Sequence, residues 1–261
     1  MTEQICGTEV SYEIQGDGAR RILLLHGWGC DRSLMQPVAD ALKLHARILL
    51  VDFPGHGQSG RPPEPWGVPE YASCLKTLLE KTGFIPCDVV AHSFGCRVAV
   101  WLAAEYPDLF HRLVLTGAAG IRPEPTAESR KRSARYQKLK KACGVLGNIP
   151  LMNGVSDRLA ERLRQKYGSR DYNALDEEMR KTFIRVIQQD LSPLYPRIKQ
   201  STLLLWGDED TETPLWMGRA MEKWIPDAGL VILEGGSHFA YLEQIGRFNT
   251  IVNHFLEEQA P

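Results

Sequence analysis

The sequence predicts an α/β fold, a doubly wound and mostly parallel sheet with an inserted helical cap. Six short apolar runs carry the sheet: RILLLHG (21–27), RILLVDFPG (47–55), CDVVAHSFG (87–95), HRLVLTGAAG (111–120), TLLLWGDED (202–210) and LVILEGGSH (230–238). They are continuous rather than alternating, as strands buried on both faces of a parallel sheet must be, since neither face meets water. The second observation is a gap: residues 122–196 hold no strand pattern at all.

In chain order, Val10-Ser11-Tyr12-Glu13-Ile14 alternates and stops at Gly16-Asp17-Gly18, as an antiparallel edge strand entering a turn does. Helix-period segments follow the runs at 34–44, 69–82, 95–106, 215–224 and 241–258. In the last of these, Tyr241, Ile245, Phe248, Ile251, Val252 and Phe255 form one apolar stripe. Strand–helix alternation of this kind places helices on both faces of an open sheet. Across 122–196 three helical stripes are visible. They are Tyr136, Leu139, Cys143 and Leu146; Val155, Leu159, Leu163 and Tyr167; and Leu175, Met179, Phe183, Val186 and Ile187. A structureless loop of that length is rare inside a compact domain. We therefore expect a helical cap at 122–196 set into a core made of 1–121 and 197–261.

Composition narrows the function classes. The chain of 261 residues has 31 basic against 32 acidic residues, and this balance speaks against a general nucleic-acid binder. Its 43% hydrophobic content speaks against disorder. Cys6, Cys30, Cys74, Cys87, Cys96 and Cys143 include no C-x-x-C pair. The start, MTEQICGTEVSYEI, has neither a basic nor an apolar signal region, and no stretch reaches the ~18 apolar residues of a membrane span. The expectation is a cytoplasmic protein with reduced thiols. No H-E-x-x-H, His/Cys ligand cluster, P-loop or G-x-G-x-x-G is present, so the sequence implies neither a metal nor another cofactor.

The chemistry-bearing pattern begins at Ala91-His92-Ser93-Phe94-Gly95, where a strand runs into a helix. A serine on such a sharp turn presents its hydroxyl at the C-terminal edge of the sheet, where open α/β sheets bind ligands. Small residues are needed two positions to either side; Gly95 supplies one, and Ala91 stands where glycine is usual. A hydroxyl becomes a nucleophile only when an imidazole takes its proton, and a carboxylate must orient that imidazole. Asp208, Glu209, Asp210 and Glu212 follow the run 202–207, and His238 follows the last run. The order serine, aspartate, histidine suits this fold. Spacing alone leaves Asp208 and Asp210 open, with Glu124 a remote alternative. An acyl-transfer oxyanion needs backbone donors. The N–H of Phe94 is one candidate, and the N–H of Trp28, in His26-Gly27-Trp28-Gly29, is the other.

These segments, HGWG (26–29), VDFPGHGQSG (51–60), AHSFGC (91–96), LLLWGDED (203–210) and GGSHFAYLE (235–243), resemble the α/β-hydrolase superfamily over nearly the full chain. The resemblance implies Ser93 as nucleophile, His238 as base, Asp210 as acid, and Trp28 and Phe94 as oxyanion donors. It implies that the cap shapes the substrate pocket. HGWG with a helical cap is similar to the pimeloyl-carrier-protein methyl ester esterases. The expected activity is hydrolysis of a carboxylic ester through an acyl-enzyme. The alternatives are carbon–carbon bond hydrolysis of the meta-cleavage type and a ligand-binding receptor that keeps the triad with negligible turnover.

Four secondary signals remain. From 122 to 141, eight basic residues (Arg122, Arg130, Lys131, Arg132, Arg135, Lys138, Lys140, Lys141) face only Glu124 and Glu128. This is either a solvated helix face or a docking surface for an acidic partner such as an acyl-carrier protein or a phosphorylated acyl thioester, the substrate being a small ester or acyl thioester. His56 reads as structural in its tight loop. His92 reads as packing beside the nucleophile, and Cys96 as a small buried hydrophobe.

Overall fold

A computed structural model describes residues 1–124, 127, 130–131, 134–139, 141, 158–159, 161–162, 165 and 170–257. The expectations at Glu128, Arg132, Lys140, Cys143, Leu146, Val155, Leu163 and Tyr167 lie outside the described residues.

Eight strands form one sheet: β1 (Thr2–Ile5), β2 (Thr8–Gln15), β3 (Arg20–Leu25), β4 (Ala46–Val51), β5 (Cys87–His92), β6 (Phe110–Thr116), β7 (Ser201–Gly207) and β8 (Ala228–Leu233). Their spatial order is β1-β2-β4-β3-β5-β6-β7-β8. Only the β1–β2 and β2–β4 pairs are antiparallel. The helices of the sheet unit are α1 (Gln36–Leu42), α2 (Val68–Lys81), α3 (Phe94–Glu105), α6 (Leu215–Trp224), α7 (Ala240–Glu243) and α8 (Ile245–Glu257).

The apolar runs are explained by the pleat, which sends alternate side chains to opposite faces. Leu23, Leu25, Val89, Ala91, Leu113, Leu115, Leu204 and Trp206 pack with α2 and α3 on one face. Ile22, Leu24, Val90, Val114, Leu203 and Leu205 pack with α1 and α8 on the other. Both faces are dry, so no position in these strands could be polar without a partner.

One edge differs from expectation. The strand read at 10–14 is interior, because β1 pairs beside it through a two-residue turn at Cys6 (φ 51°) and Gly7 (φ 79°). Such turns need two successive positive φ values, which their twist matches to the flanking strands.

The described residues divide into two compact units, Met1–Arg122 with Lys181–Pro261, and Pro123–Arg180. The second holds α4 (Arg170–Ala174) and the start of α5 (Glu177–Gln188). The stretch expected as an insertion, 122–196, takes in the second unit together with 181–196, which belongs to the first. Leu191, Leu194 and Tyr195 join the core. The Trp66 N–H donates to Thr182 Oγ1 at 3.3 Å and the Val68 N–H to Gln189 Oε1 at 3.0 Å. The buried Arg97 guanidinium of α3 donates to the Val186 and Gln189 carbonyls at 3.2 and 2.9 Å, filling acceptors left open at the end of α5. Chain departure and return are tied together: the Leu191 N–H donates to Gly120 O at 2.8 Å, and the Arg122 N–H to Asp190 Oδ1 at 3.1 Å. No helix among the described residues is long and apolar enough to cross a membrane.

Candidate active site

Ser93 sits between β5 and α3 with φ 49° and ψ −106°, a conformation non-glycine residues rarely adopt. The strain is tolerated because the turn is clamped on both sides. Ser93 N–H donates to Thr116 O at 3.1 Å and Gly95 N–H to His26 O at 3.1 Å. A methyl group on Gly95 would come within 2.8 Å of the Leu25 carbonyl oxygen, so only glycine fits where α3 crosses β3. Ala91 is fully buried in the strand itself, where an added methyl fills core space.

The loop after β8 brings His238 Nε2 to 2.9 Å from Ser93 Oγ. Its Nδ1 lies 2.8 Å from Asp210 Oδ2, in the loop after β7. Asp210 is 4% exposed, and its two oxygens also accept from the Glu212 N–H, the Thr213 N–H and the Thr213 hydroxyl at 2.9, 2.9 and 2.8 Å. Burial alone would raise this carboxyl; the His238 and Thr213 hydrogen bonds outweigh it and hold Asp210 below its ordinary value. An ionised Asp210 can only accept, so the His238 proton rests on Nδ1 and the Nε2 lone pair faces the Ser93 hydroxyl. An imidazole so placed can remove that proton as the oxygen attacks a carbonyl.

Of the competing acids, Asp208 is exposed and accepts from the Gly235 N–H at 2.7 Å, bracing the β8 turn instead of reaching the imidazole. Glu209, Glu212 and Glu124 are exposed. Thr213 went unnoticed in the sequence, although a threonine three residues after an acid in a turn is a legible signal for a side chain that bonds the carboxylate.

Phe94 is the first residue of α3, so its N–H has no acceptor within the helix. The orientation of the Trp28 N–H follows from its neighbour. His26 Nε2 accepts from the Phe53 N–H at 3.0 Å, which leaves the proton on Nδ1, and Nδ1 donates to Gly27 O at 2.8 Å. Cys30 N–H donates to the same oxygen at 3.3 Å. In a trans peptide the carbonyl and the following N–H point oppositely, so these two bonds turn the Trp28 N–H away from His26. The loop runs against the turn, since a methyl group on Gly27 would lie 3.3 Å from Ser93 Cβ. Burial pushes His26 down to about 4, which keeps it neutral, and its two hydrogen bonds fix the tautomer.

Aromatic rings flank these donors. The Trp28 indole packs on His56, Phe94 and Phe183 with ring centroids 4.7, 5.2 and 5.1 Å apart. Burial pushes His56 down to about 3, and its Nδ1 faces Pro54 O at 3.3 Å. Cys96 is fully buried, with Sγ on Ala91 O at 3.1 Å; burial pushes its thiol far up, out of nucleophilic range. No group of residues suited to a metal ion occurs among the described residues.

The chain is similar to known hydrolases along most of its length. It is 27% identical over 256 residues to the pimeloyl-[acyl-carrier protein] methyl ester esterase of Neisseria meningitidis, covering 92% of this chain and 95% of that protein. It is 24% identical over 276 residues to a 2-hydroxy-6-oxononadienedioate/2-hydroxy-6-oxononatrienedioate hydrolase of Pseudomonas, covering 98% and 94%. The crystal structure of an enol-lactonase from Burkholderia xenovorans superposes with a TM-score of 0.76 at 26% identity, over 99% of this chain and 100% of that one. The family profile described as alpha/beta hydrolase fold matches residues 20–244. A serine on a strained strand-to-helix turn, a parallel sheet of this strand order and a match across most of the sequence agree, and the chain belongs to the alpha/beta hydrolase fold family.

Proposed function

We propose that this chain is a serine hydrolase of carboxylic esters. The observation that carries the reading is the continuous line of hydrogen bonds from Ser93 Oγ through His238 to Asp210, at 2.9 and 2.8 Å, beginning on a strained turn. Ser93 Oγ attacks the ester carbonyl carbon while His238 Nε2 takes its proton. The oxyanion forms opposite the Trp28 and Phe94 N–H groups, each such donor being worth about 3 kcal/mol in comparable sites. Collapse breaks the bond to the alkoxy oxygen, which leaves with the proton from His238, and the acyl group stays on Ser93. A water molecule, deprotonated by the same imidazole, then releases the acid and restores the hydroxyl.

Two relatives support the ester class, since one is named for a methyl ester and the other for a lactone, a cyclic ester. A second reading, carbon–carbon bond hydrolysis, draws on the similarity to the Pseudomonas oxo-dienedioate hydrolase. The test is labelling by a fluorophosphonate together with turnover of p-nitrophenyl esters of graded acyl length. The ester reading expects stoichiometric labelling and steady turnover, both lost in Ser93→Ala. Labelling with no turnover of any ester refutes it and favours a receptor; turnover confined to a vinylogous diketone favours the second reading.

We further propose the segment 122–196 as the cap and its basic start as a docking face for an acidic acyl carrier. Arg130, Lys131, Arg135, Lys138 and Lys141 are exposed there. Charge reversal at Arg135 and Lys138 then slows a carrier-bound ester and spares the free ester; equal effects on both refute the docking role.

A further inference from the structure

The turn that delivers His238 spends its carbonyls unevenly. Ser237 O accepts from the Ala240 N–H at 3.0 Å, and Phe239 O from the Leu242 and Glu243 N–H groups at 2.8 and 3.1 Å. The carbonyl between them, that of His238, is served by a side chain from across the sheet, with His92 Nε2 at 3.0 Å. A carbonyl oxygen only accepts, so the neutral His92 ring must carry its proton on Nε2. That ring is 1% exposed and is wedged among His238, Phe239 and Tyr241, with centroids 4.8, 5.1 and 4.8 Å away. Burial holds it down to about 3, so the ring stays neutral near pH 7, and its bond to the His238 carbonyl keeps the proton on Nε2.

We propose that His92 is a positioning residue for ester hydrolysis: its Nε2–H bond to the His238 carbonyl sets the main chain of the base so that His238 Nε2 stays within reach of Ser93 Oγ. The proposal rests on the serine-hydrolase reading above. His92 closes β5 and Ser93 follows it directly, so the nucleophile and the tether of its base leave the sheet from adjacent residues. The separation between Ser93 and His238 is therefore set by β5, and drift in the loop after β8 is taken up at the tether. A misplacement of about 1 Å at a reacting group can cost on the order of 100-fold in rate.

The test compares two variants that separate the donor from the ring. His92→Phe keeps ring packing and loses the N–H; His92→Gln keeps an N–H at a similar reach and loses the ring. His92→Phe is expected to lower kcat by about 10- to 100-fold with KM within about twofold, and to slow fluorophosphonate labelling of Ser93 in step. His92→Gln is expected to recover most of both rates. The reverse order, with Phe near wild type and Gln impaired, marks a packing role and overturns the proposal. If His92→Phe does not fold, His92→Met, which fills the site without an N–H, takes its place. A wild-type protein that neither labels nor turns over sinks the serine-hydrolase reading. The tether is then read in a crystal structure of the donor-free variant, where a lengthened Ser93–His238 contact supports it and an unchanged one overturns it.

Discussion

Acid should destabilise this protein well above the carboxylate range, because three imidazoles are buried in the neutral form. Burial lowers His26 to about 4 and His56 and His92 to about 3, from an ordinary value of 6.5. In the unfolded chain each takes up a proton near pH 6.5, whereas the folded chain refuses it. The unfolded state therefore binds more protons below pH 6.5, and stability falls as pH falls through the window from 6.5 to about 4. Above pH 6.5 both states are neutral and the effect vanishes. One unit of pH costs about 1.4 kcal/mol for each group, so the three together give a slope of about 4 kcal/mol per unit. From pH 7.5 to 5.0 the loss is about 2 kcal/mol for each imidazole and about 6 kcal/mol in all, a large part of the roughly 5–15 kcal/mol that holds a typical domain. Urea unfolding followed by tryptophan fluorescence at pH 7.5, 6.5, 5.5 and 5.0 measures it. His56→Asn, which keeps a donor for Pro54 O but does not titrate, should remove about a third of the slope. Stability flat between pH 7.5 and 5.0, or a slope unchanged in His56→Asn, refutes the reasoning.

Other consequences are open to direct measurement. Asp210→Asn leaves the shape of the site but frees the wrong imidazole tautomer, and should lower kcat by about 10⁴-fold, while Asp208→Asn stays within a few-fold; p-nitrophenyl ester kinetics decide between them. His26→Asn keeps a donor for Gly27 O and loses the acceptor for the Phe53 N–H. It should retain more activity than His26→Leu, which frees the Trp28 peptide and costs about 10²–10³-fold in kcat with a matching loss of affinity for a boronic-acid inhibitor. Gly95→Ala forces a methyl against the Leu25 carbonyl and should destabilise by about 1–3 kcal/mol or more, read as a lower urea midpoint.

Much of the sheet was legible because its strands have no wet face, which removes every ambiguity of alternation from runs such as ILLL and VVAH. β1 was not, since Thr2-Glu3-Gln4-Ile5 is a short edge strand that meets water and carries little apolar signal; only the Cys6-Gly7 turn hints at it. The end of the insertion was equally hidden. Val186 and Ile187 look alike in sequence, yet Val186 is buried and Ile187 is 43% exposed. At the site, the serine turn and the loops holding Asp210 and His238 could be located by their place after strands. Spacing left Asp208 and Asp210 open and only the resemblance pointed to Asp210, because both sit in one turn and the fold decides which one faces His238. The His92 bond spans 146 positions, and no local pattern encodes a contact of that kind. The loop's place after a strand and the resemblance both pointed to Trp28, but the orientation of its N–H follows from the hydrogen bonds of His26, which appear only once the Phe53 N–H is in place.

The paired bonds between Gly120 and Leu191 and between Arg122 and Asp190 make a fastened neck. Beyond it the chain at 181–189 is itself held by Trp66, Val68 and Arg97, so both ends of the stretch between Arg122 and Lys181 are already fixed and the entropy of joining them is borne once. Doubling the length of a flexible loop beyond such a closure costs only about 0.6 kcal/mol. Segments of other lengths and sequences could therefore be grafted between Arg122 and Lys181, by recombination or at the bench, with Ser93, Asp210 and His238 left where they are. In a lineage of such proteins, the chemistry would be inherited vertically while the insertion was traded as a cassette.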